Sequence, residues 1–380
     1  ANAVPVTVTD GGVTLSVSTE VNVVADLTGA FAPTGNGLTP AGPTRVLDTR
    51  STGKPLRADE IREVDVHAPA GATGVVATIA VIGGELPGFL TAFACGTTLP
   101  STSNINFAAQ TVVANTVVSQ LGSTGKLCVR SVADAHVIVD VTGYLSATGP
   151  LSYQALAPTR LLDTRSPTSI YTNRLAAQQV IELPIQPLAG MPSKVWSVVA
   201  NITAVGASNL GFMTAYPCGG SVPATSSLNF VPAKSVGALT VSSIGSQGSL
   251  CIYSSARAHL IVDLVGVWVH DEQAAPHAPQ RISPADQGDP RSPNDPDNDN
   301  AGGEDSEDAF SGGDVHEHDV HGEEGHIDQI SGGATADKQA SRVVVESGGC
   351  TVAPGQTGSQ LPVVLAALIG LAWLGRRRKR

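Results

Sequence analysis

The side chains best equipped for chemistry are arginines and aspartates that recur in one spelling. Pro43-Thr-Arg45-Val-Leu-Asp48-Thr-Arg50 returns as Pro158-Thr-Arg160-Leu-Leu-Asp163-Thr-Arg165. A guanidinium fork matches a carboxylate through two hydrogen bonds, so each block could pin a strand end or hold a sugar or carboxylate ligand. Pinning is the leading reading of Arg45, Asp48, Arg50, Arg160, Asp163 and Arg165, and a ligand site is the second. His136 and Asp140, like His259 and Asp263, stand four residues apart, which places each pair on one face of a strand. No Ser or Cys nucleophile motif accompanies them, and an Asp before a turn more often caps backbone amides. Paired carboxylates in a hydrolase-like setting and a Gly-rich phosphate loop are both missing from the sequence. Aromatic residues make up only 4% of the chain, too few for a broad glycan-stacking platform. The expectation is a chain without catalysis.

Four cysteines repeat at one spacing. Cys95 and Cys128 lie 33 residues apart, as do Cys218 and Cys251, each in a strand-like segment. One disulfide within each copy is expected, closing a loop that adds on the order of 3–4 kcal/mol. Such bridges belong to an exported protein. A zinc site is the alternative, weakened by the lack of His at ligand spacing.

These residues sit in a tandem repeat. Gly88-Phe-Leu-Thr-Ala-Phe-Ala-Cys95 returns as Gly211-Phe-Met-Thr-Ala-Tyr-Pro-Cys218, and Thr102-Ser-Asn-Ile-Asn-Phe107 returns as Thr225-Ser-Ser-Leu-Asn-Phe230. Ala135-His-Val-Ile-Val-Asp140-Val-Thr-Gly143 returns as Ala258-His-Leu-Ile-Val-Asp263-Leu-Val-Gly266. Val21 to Gly29 matches this closing strand a third time, with Asp26 in the aspartate's place and no opening block before it. It reads as part of a longer array or as a lone hairpin completing a neighbour. Segments rich in β-branched residues, bounded by Gly83-Gly84, Gly122 to Gly125 and Gly245 to Gly248, give about eight strands per copy. No amphipathic helix is evident within the copies. The fold expected is all-β: tandem antiparallel β-sandwich repeats, jelly-roll or immunoglobulin-like, followed by a disordered acidic stalk and a short C-terminal hydrophobic helix. The divisions expected are a partial repeat over 1–31, repeats over 40–147 and 155–270, a linker over 271–346 and a sorting signal over 347–380.

Charge separates the same regions. The net charge is −11, yet residues 1–270 hold 14 acidic and 13 basic side chains, against 19 and 4 in residues 271–350. Nothing on the repeats resembles a basic nucleic-acid footprint. The linker, rich in Pro, Asp, Glu, Gly, Asn and Ser, cannot bury enough apolar area to offset its chain entropy, so a disordered stalk is expected. Asp295, Asp297 and Asp299 resemble the acidic half of a calcium loop. However, Asn300 stands where an EF-hand needs Gly, and Ser306 where it needs a bidentate Glu. His316, His318, His321 and His326, with Glu317 and Asp319, could loosely hold zinc or nickel. No cofactor is expected beyond a weakly held divalent metal in this linker.

The C-terminus has a three-part order. Gly349-Cys350 is followed by a polar spacer, the apolar run Leu361 to Gly375 and five basic residues, Arg376 to Arg380. Fifteen residues make a helix of about 22 Å, short for a bilayer core of about 30 Å. The basic tip would hold that end in the cytoplasm. This order resembles the MYXO-CTERM class of sorting signals of myxobacteria and their relatives. The resemblance implies cleavage near Gly349-Cys350, lipid attachment at Cys350 and surface display. A plain C-terminal membrane anchor with an incidental Cys is the alternative. The Pro-Thr-Arg-Leu-Leu-Asp-Thr-Arg block, with the Cys-bearing and His-to-Asp strands, resembles an accessory repeat of secreted and wall-associated bacterial proteins. It implies a location rather than a chemistry.

The expectation from sequence is therefore a non-catalytic, structural or adhesive protein, exported to the cell surface, outer membrane or extracellular space. Its partners would be export and sorting machinery, a membrane reached through the C-terminal signal or a lipid, and surface polysaccharide or matrix, with no nucleic acid. The alternative is a carbohydrate-binding module serving a secreted enzyme whose catalytic domain lies outside this sequence.

Overall fold

The computed structural model describes residues 1–8, 12–17, 20, 22–32, 34–186, 191–192 and 194–270, with the backbone of two further strands, 340–344 and 366–373. The linker metal candidates Asp295, Asp297, Asp299, His316, His318 and His321 lie outside the described residues, as do Gly349 and Cys350. Among the described residues every element is a strand and every strand pairing is antiparallel.

The first full copy has eight strands: β4 (Gly37–Asp48), β5 (Ile61–Asp65), β6 (Gly74–Gly83), β7 (Gly88–Ala94), β8 (Ile105–Phe107), β9 (Val112–Gln120), β10 (Lys126–Ser131) and β11 (Ala135–Ser146). The second copy repeats them as β12 (Leu151–Asp163), β13 (Gln179–Pro184), β14 (Val195–Val205), β15 (Gly211–Pro217), β16 (Leu228–Phe230), β17 (Val236–Ser243), β18 (Ser249–Ser254) and β19 (His259–His270). Each copy carries a four-stranded outer sheet in one order, β5-β10-β7-β8 and β13-β18-β15-β16. The inner strands join into one eight-stranded sheet, β17-β14-β19-β12-β4-β11-β6-β9, sutured where Leu151 pairs with Leu38.

Burial explains why alternation is only partial. On β6, Val75, Ala77, Ile79 and Val81 enter the core between the two sheets. Val76 faces a second apolar cluster shared with the other copy, and Ala80 packs against Ala114 and Ile138. A strand covered on both faces reads as a continuous apolar run. Strand β13, covered on one face only, alternates: Ile181 and Leu183 are buried, whereas Glu182 is exposed.

The first, partial copy contains β1 (Asn2–Thr7), β2 (Gly12–Ser16) and β3 (Val23–Phe31). These strands correspond to β9, β10 and β11, and Ala1-Asn2-Ala3-Val4 aligns with Ala114-Asn115-Thr116-Val117. Strand β21 (Ala366–Trp373) lies between β1 and β3, and β20 (Ala340–Val344) pairs with β2. The described part of the apolar run Leu361 to Gly375 is this strand β21. The exposed edges of β1 and β3 together satisfy both sides of its backbone ladder. Strand β21 takes the address of β6 and β14. Gly370 stands opposite Asp26 as Thr78 stands opposite Asp140, and the bulge between Leu368 and Ile369 falls where β14 has one between Val199 and Ala200.

The three copies close around an axis. The equivalent strands β1, β9 and β17 contact one another pairwise. Pro5, Val118 and Val241 meet there with Phe31, Leu145 and Trp268, each set drawn from one position of the repeat. Polar contacts run around the same ring. Ala3 N donates to Asn115 Oδ1 (3.4 Å), Leu239 N donates to Asn2 Oδ1 (2.9 Å), and the Thr116 hydroxyl donates to Leu239 O (2.6 Å). Ala3, Thr116 and Leu239 are again one position, so the arrangement is a pseudo-threefold ring with heterologous contacts.

Candidate functional site

The opening and closing strands of each copy pair so that Arg45 stands opposite Asp140 and Arg160 opposite Asp263. The register turns the recurring block into a three-residue cluster plus the closing-strand aspartate. Arg45 Nε donates to Asp140 Oδ1 at 2.8 Å and Nη2 to Oδ2 at 3.1 Å, a bidentate fork. Its Nη1 reaches Asp48 Oδ2 at 3.4 Å. Asp48 also accepts from the backbone N, Nε and Nη2 of Arg50, at 3.1, 2.9 and 2.7 Å. The second copy reproduces this. Arg160 forks onto Asp263 at 2.8 and 3.1 Å and reaches Asp163 at 3.3 Å, while Arg165 donates to Asp163 at 3.1, 2.8 and 2.7 Å.

Electrostatics follow from these contacts. The Arg50 hydrogen bonds outweigh burial and hold the Asp48 carboxyl down to about 2, and Arg165 holds Asp163 down to about 2 in the same way. Asp140 moves the other way. It is 2% exposed, and desolvation pushes its pKa up against the pull of Arg45.

His136 and His259 do not join their aspartates. Each Nδ1 meets a threonine hydroxyl instead, Thr49 or Thr164, at 3.0 Å. The same hydroxyls accept the backbone N–H of Val137 and Leu260. Each threonine hydroxyl thus bridges an imidazole and a backbone amide of the closing strand, which ties the end of that strand in place. Burial lowers the pKa of His259, with Arg174 adding to the effect.

The structure joins Cys95 to Cys128 and Cys218 to Cys251, with Cα separations of 4.9 and 5.0 Å. Each bridge ties the end of β7 or β15 to β10 or β18 across the outer sheet. Cys95 and Cys128 pack with Phe93 and Leu99. No group of three His, Cys, Asp or Glu side chains suited to a metal occurs among the described residues. No helix among them is long and apolar enough to cross a membrane.

Sequence reasoning missed the residues that link the copies. The backbone N–H of Ser226 donates to Asp140, and that of Ser103 donates to Asp26 Oδ2 at 3.3 Å. Ser103 and Ser226 share one place in the recurring Thr-Ser-x-x-Asn-Phe block. The block was visible; that a main-chain amide would be the working group was not. A small polar pocket at the Asp140–Ser226 joint is lined by Asp140, Thr78, Thr142, Ser226, Thr240 and Ser242 among others.

Fold and site together define an all-β repeat protein whose polar clusters hold strands and copies together. Its relation to known proteins is thin. No protein-family model matches the chain, and no curated protein matches it. Among solved structures, the N-terminal CBM22-1-CBM22-2 tandem domain of Paenibacillus barcinonensis Xyn10C is 11% identical. It aligns over 67% of this chain and all of its own, with a TM-score of 0.17. A likeness at that score carries no argument about what this chain does.

Proposed function

We propose that the protein is a non-catalytic, exported surface protein whose β-repeats form a rigid structural or adhesive head. The observation that carries this reading is where the chemistry-bearing side chains are spent. Each Arg fork is turned onto an Asp of its own copy, and Asp140 is closed into a joint between copies. Disulfides in the same place in both copies support folding in an oxidising compartment. The C-terminal segment would place the head at the outer surface, with processing near Gly349-Cys350, lipid on Cys350 and the acidic linker as a stalk. The divalent-metal reading of that linker remains a proposal, tested by calorimetry of the full chain with calcium and with zinc.

The test of display is surface accessibility in a host with matching sorting machinery. Native chain should be shaved from intact cells by added protease and should carry labelled fatty acid, and Cys350→Ala should lose the label and the surface pool. A Cys350→Ala chain that stays at the surface would favour the plain membrane anchor. A carbohydrate-binding role would appear instead as saturable binding of the head to a polysaccharide.

A further inference from the structure

One end of the second copy gathers cations that the first copy lacks. The loop joining β14 to β15, residues 206–210, brings three of them together. The Arg174 guanidinium lies over Gly206, its Nη2 3.2 Å from where a Cβ on that glycine would stand. Ser208 N donates to Arg257 O at 3.0 Å, and Ala233 N, next to Lys234, donates to Ala207 O at 3.1 Å. Leu175 and Ala258 are buried and pair in an isolated antiparallel bridge. Arg174 and Arg257, the residues just before them, therefore turn the other way, into solvent. Lys234 is exposed as well.

The same places in the first copy carry different chemistry. The bridge of Leu56 with Ala135 and the bond from Gln110 N to Gly84 O set Pro55, Asp134 and Thr111 where Arg174, Arg257 and Lys234 stand. There Arg57 pairs with Asp134 at 2.8 Å; the second copy has Ala176 for that arginine and Arg257 for that aspartate. Residues 37–146 hold 8 acidic and 7 basic side chains, a net −1, against 3 and 6 in residues 151–270, a net +3. Two of those three acids, Asp163 and Asp263, already take the forks of Arg160 and Arg165. Among the described residues no ion pair reaches Arg174, Lys234 or Arg257. This end of a copy faces solvent even where the next copy in the ring is complete: in the first copy Arg57 and Asp134 are 73 and 48% exposed at the side chain.

We propose that Arg174, Lys234 and Arg257 form a binding site for a carboxylated polysaccharide, a polyuronate. This rests on the reading of the head as adhesive and names what that head holds. Guanidinium groups match carboxylates in geometry as well as charge. Exposed cations each hold an anion weakly in water, so a small anion would not stay. A polymer that meets all three at once gains by multivalency. The chain as a whole carries −11, so a polyanion finds attraction only where cations are concentrated. A lipid surface fits less well, because it needs apolar area as well as charge. Each copy exposes one leucine in this loop, Leu86 at 67% and Leu210 at 73%, so the apolar tip is common to both and the cations alone set the second apart.

The test presents the full chain, both disulfides formed, to immobilised polygalacturonate and to the same polymer with its carboxylates methyl-esterified. Saturable binding is expected to the acid form alone, weakening as salt is raised. Lys234→Thr combined with Arg257→Asp gives the second copy the residues of the first, and should weaken binding at least about tenfold. Arg174→Gln, a change at one exposed side chain, should weaken it about threefold and carries the test if the double variant unfolds. Lys194→Gln, just ahead of β14 at its far end, removes a charge elsewhere and should leave binding unchanged. Equal binding to both polymers, an equal loss in Lys194→Gln, or binding to phosphatidylglycerol vesicles alone would overturn the site. So would no binding by a chain that protease still shaves from intact cells, an outcome that leaves the display reading standing.

Discussion

At the scale of single residues, the two copies of one cluster should respond differently to the same change. Removing the Arg45 guanidinium leaves Asp140, 2% exposed, as an uncompensated buried carboxylate, so Arg45→Ala should cost about 3 kcal/mol. Arg160 and Asp263 are 50% and 27% exposed at the side chain, and water takes over much of their interaction. Arg160→Ala should cost no more than about 1 kcal/mol, and urea unfolding of the two variants measures the difference. Acid should act through Asp48 and Asp163. Their folded pKa values, about 2, lie below the ordinary 3.8, so their stabilisation is present above about pH 4 and is lost as pH falls toward 2. Asp140 has the opposite sign, because its raised pKa makes ionisation weigh against the fold as pH rises. Urea midpoints between pH 5 and 2 should therefore fall more gently in Asp48→Asn and more steeply in Asp140→Asn. The arginine blocks were legible because they repeat. Their partners across the strands were less so: the spacing of His136 and Asp140 suggested one pair, while the register gave the histidine to Thr49 and the aspartate to Arg45. Sequence separation does not encode register when 95 residues part Arg45 from Asp140.

At the scale of elements, tight approaches rather than side-chain chemistry set the limits. A Cβ at Gly122 would stand 2.2 Å from the Cys95 carbonyl oxygen, and one at Gly245 would stand 2.3 Å from that of Cys218. Both obstacles are backbone, beside a disulfide that cannot retreat. Gly122→Ala and Gly245→Ala should each cost about 2 kcal/mol, whereas Gly220→Ala, with open space around it, should be close to neutral in thermal unfolding. The all-β class and about eight strands per copy were legible in the β-branched runs and glycine turns. The strand Ala366–Trp373 was not. An apolar run of Leu, Ala and Ile suits a helix by composition, and the paired edges of β1 and β3 are a tertiary circumstance that propensity does not carry.

At the scale of the molecule, the neutral head, the acidic linker and the basic tip were legible as three regimes of charge. The ring was not, because it rests on contacts between equivalent positions, such as Thr116 with Leu239, and no such contact leaves a local pattern. The first copy takes part in it by supplying β1 to the axis, against β9 and β17. If the head is structural, its Arg/Asp clusters hold strands and copies, and no ligand depends on them. The most direct test takes the full chain with both disulfides formed, beside Arg160→Ala and Asp163→Ala. All three are presented to a panel of bacterial polysaccharides and whole cells, and their thermal unfolding is recorded in parallel. The account predicts lowered unfolding midpoints in the variants, with any binding isotherm of the native chain unchanged. Saturable binding by the native chain that vanishes in Arg160→Ala or Asp163→Ala at an unchanged midpoint would contradict it and make the cluster a ligand site.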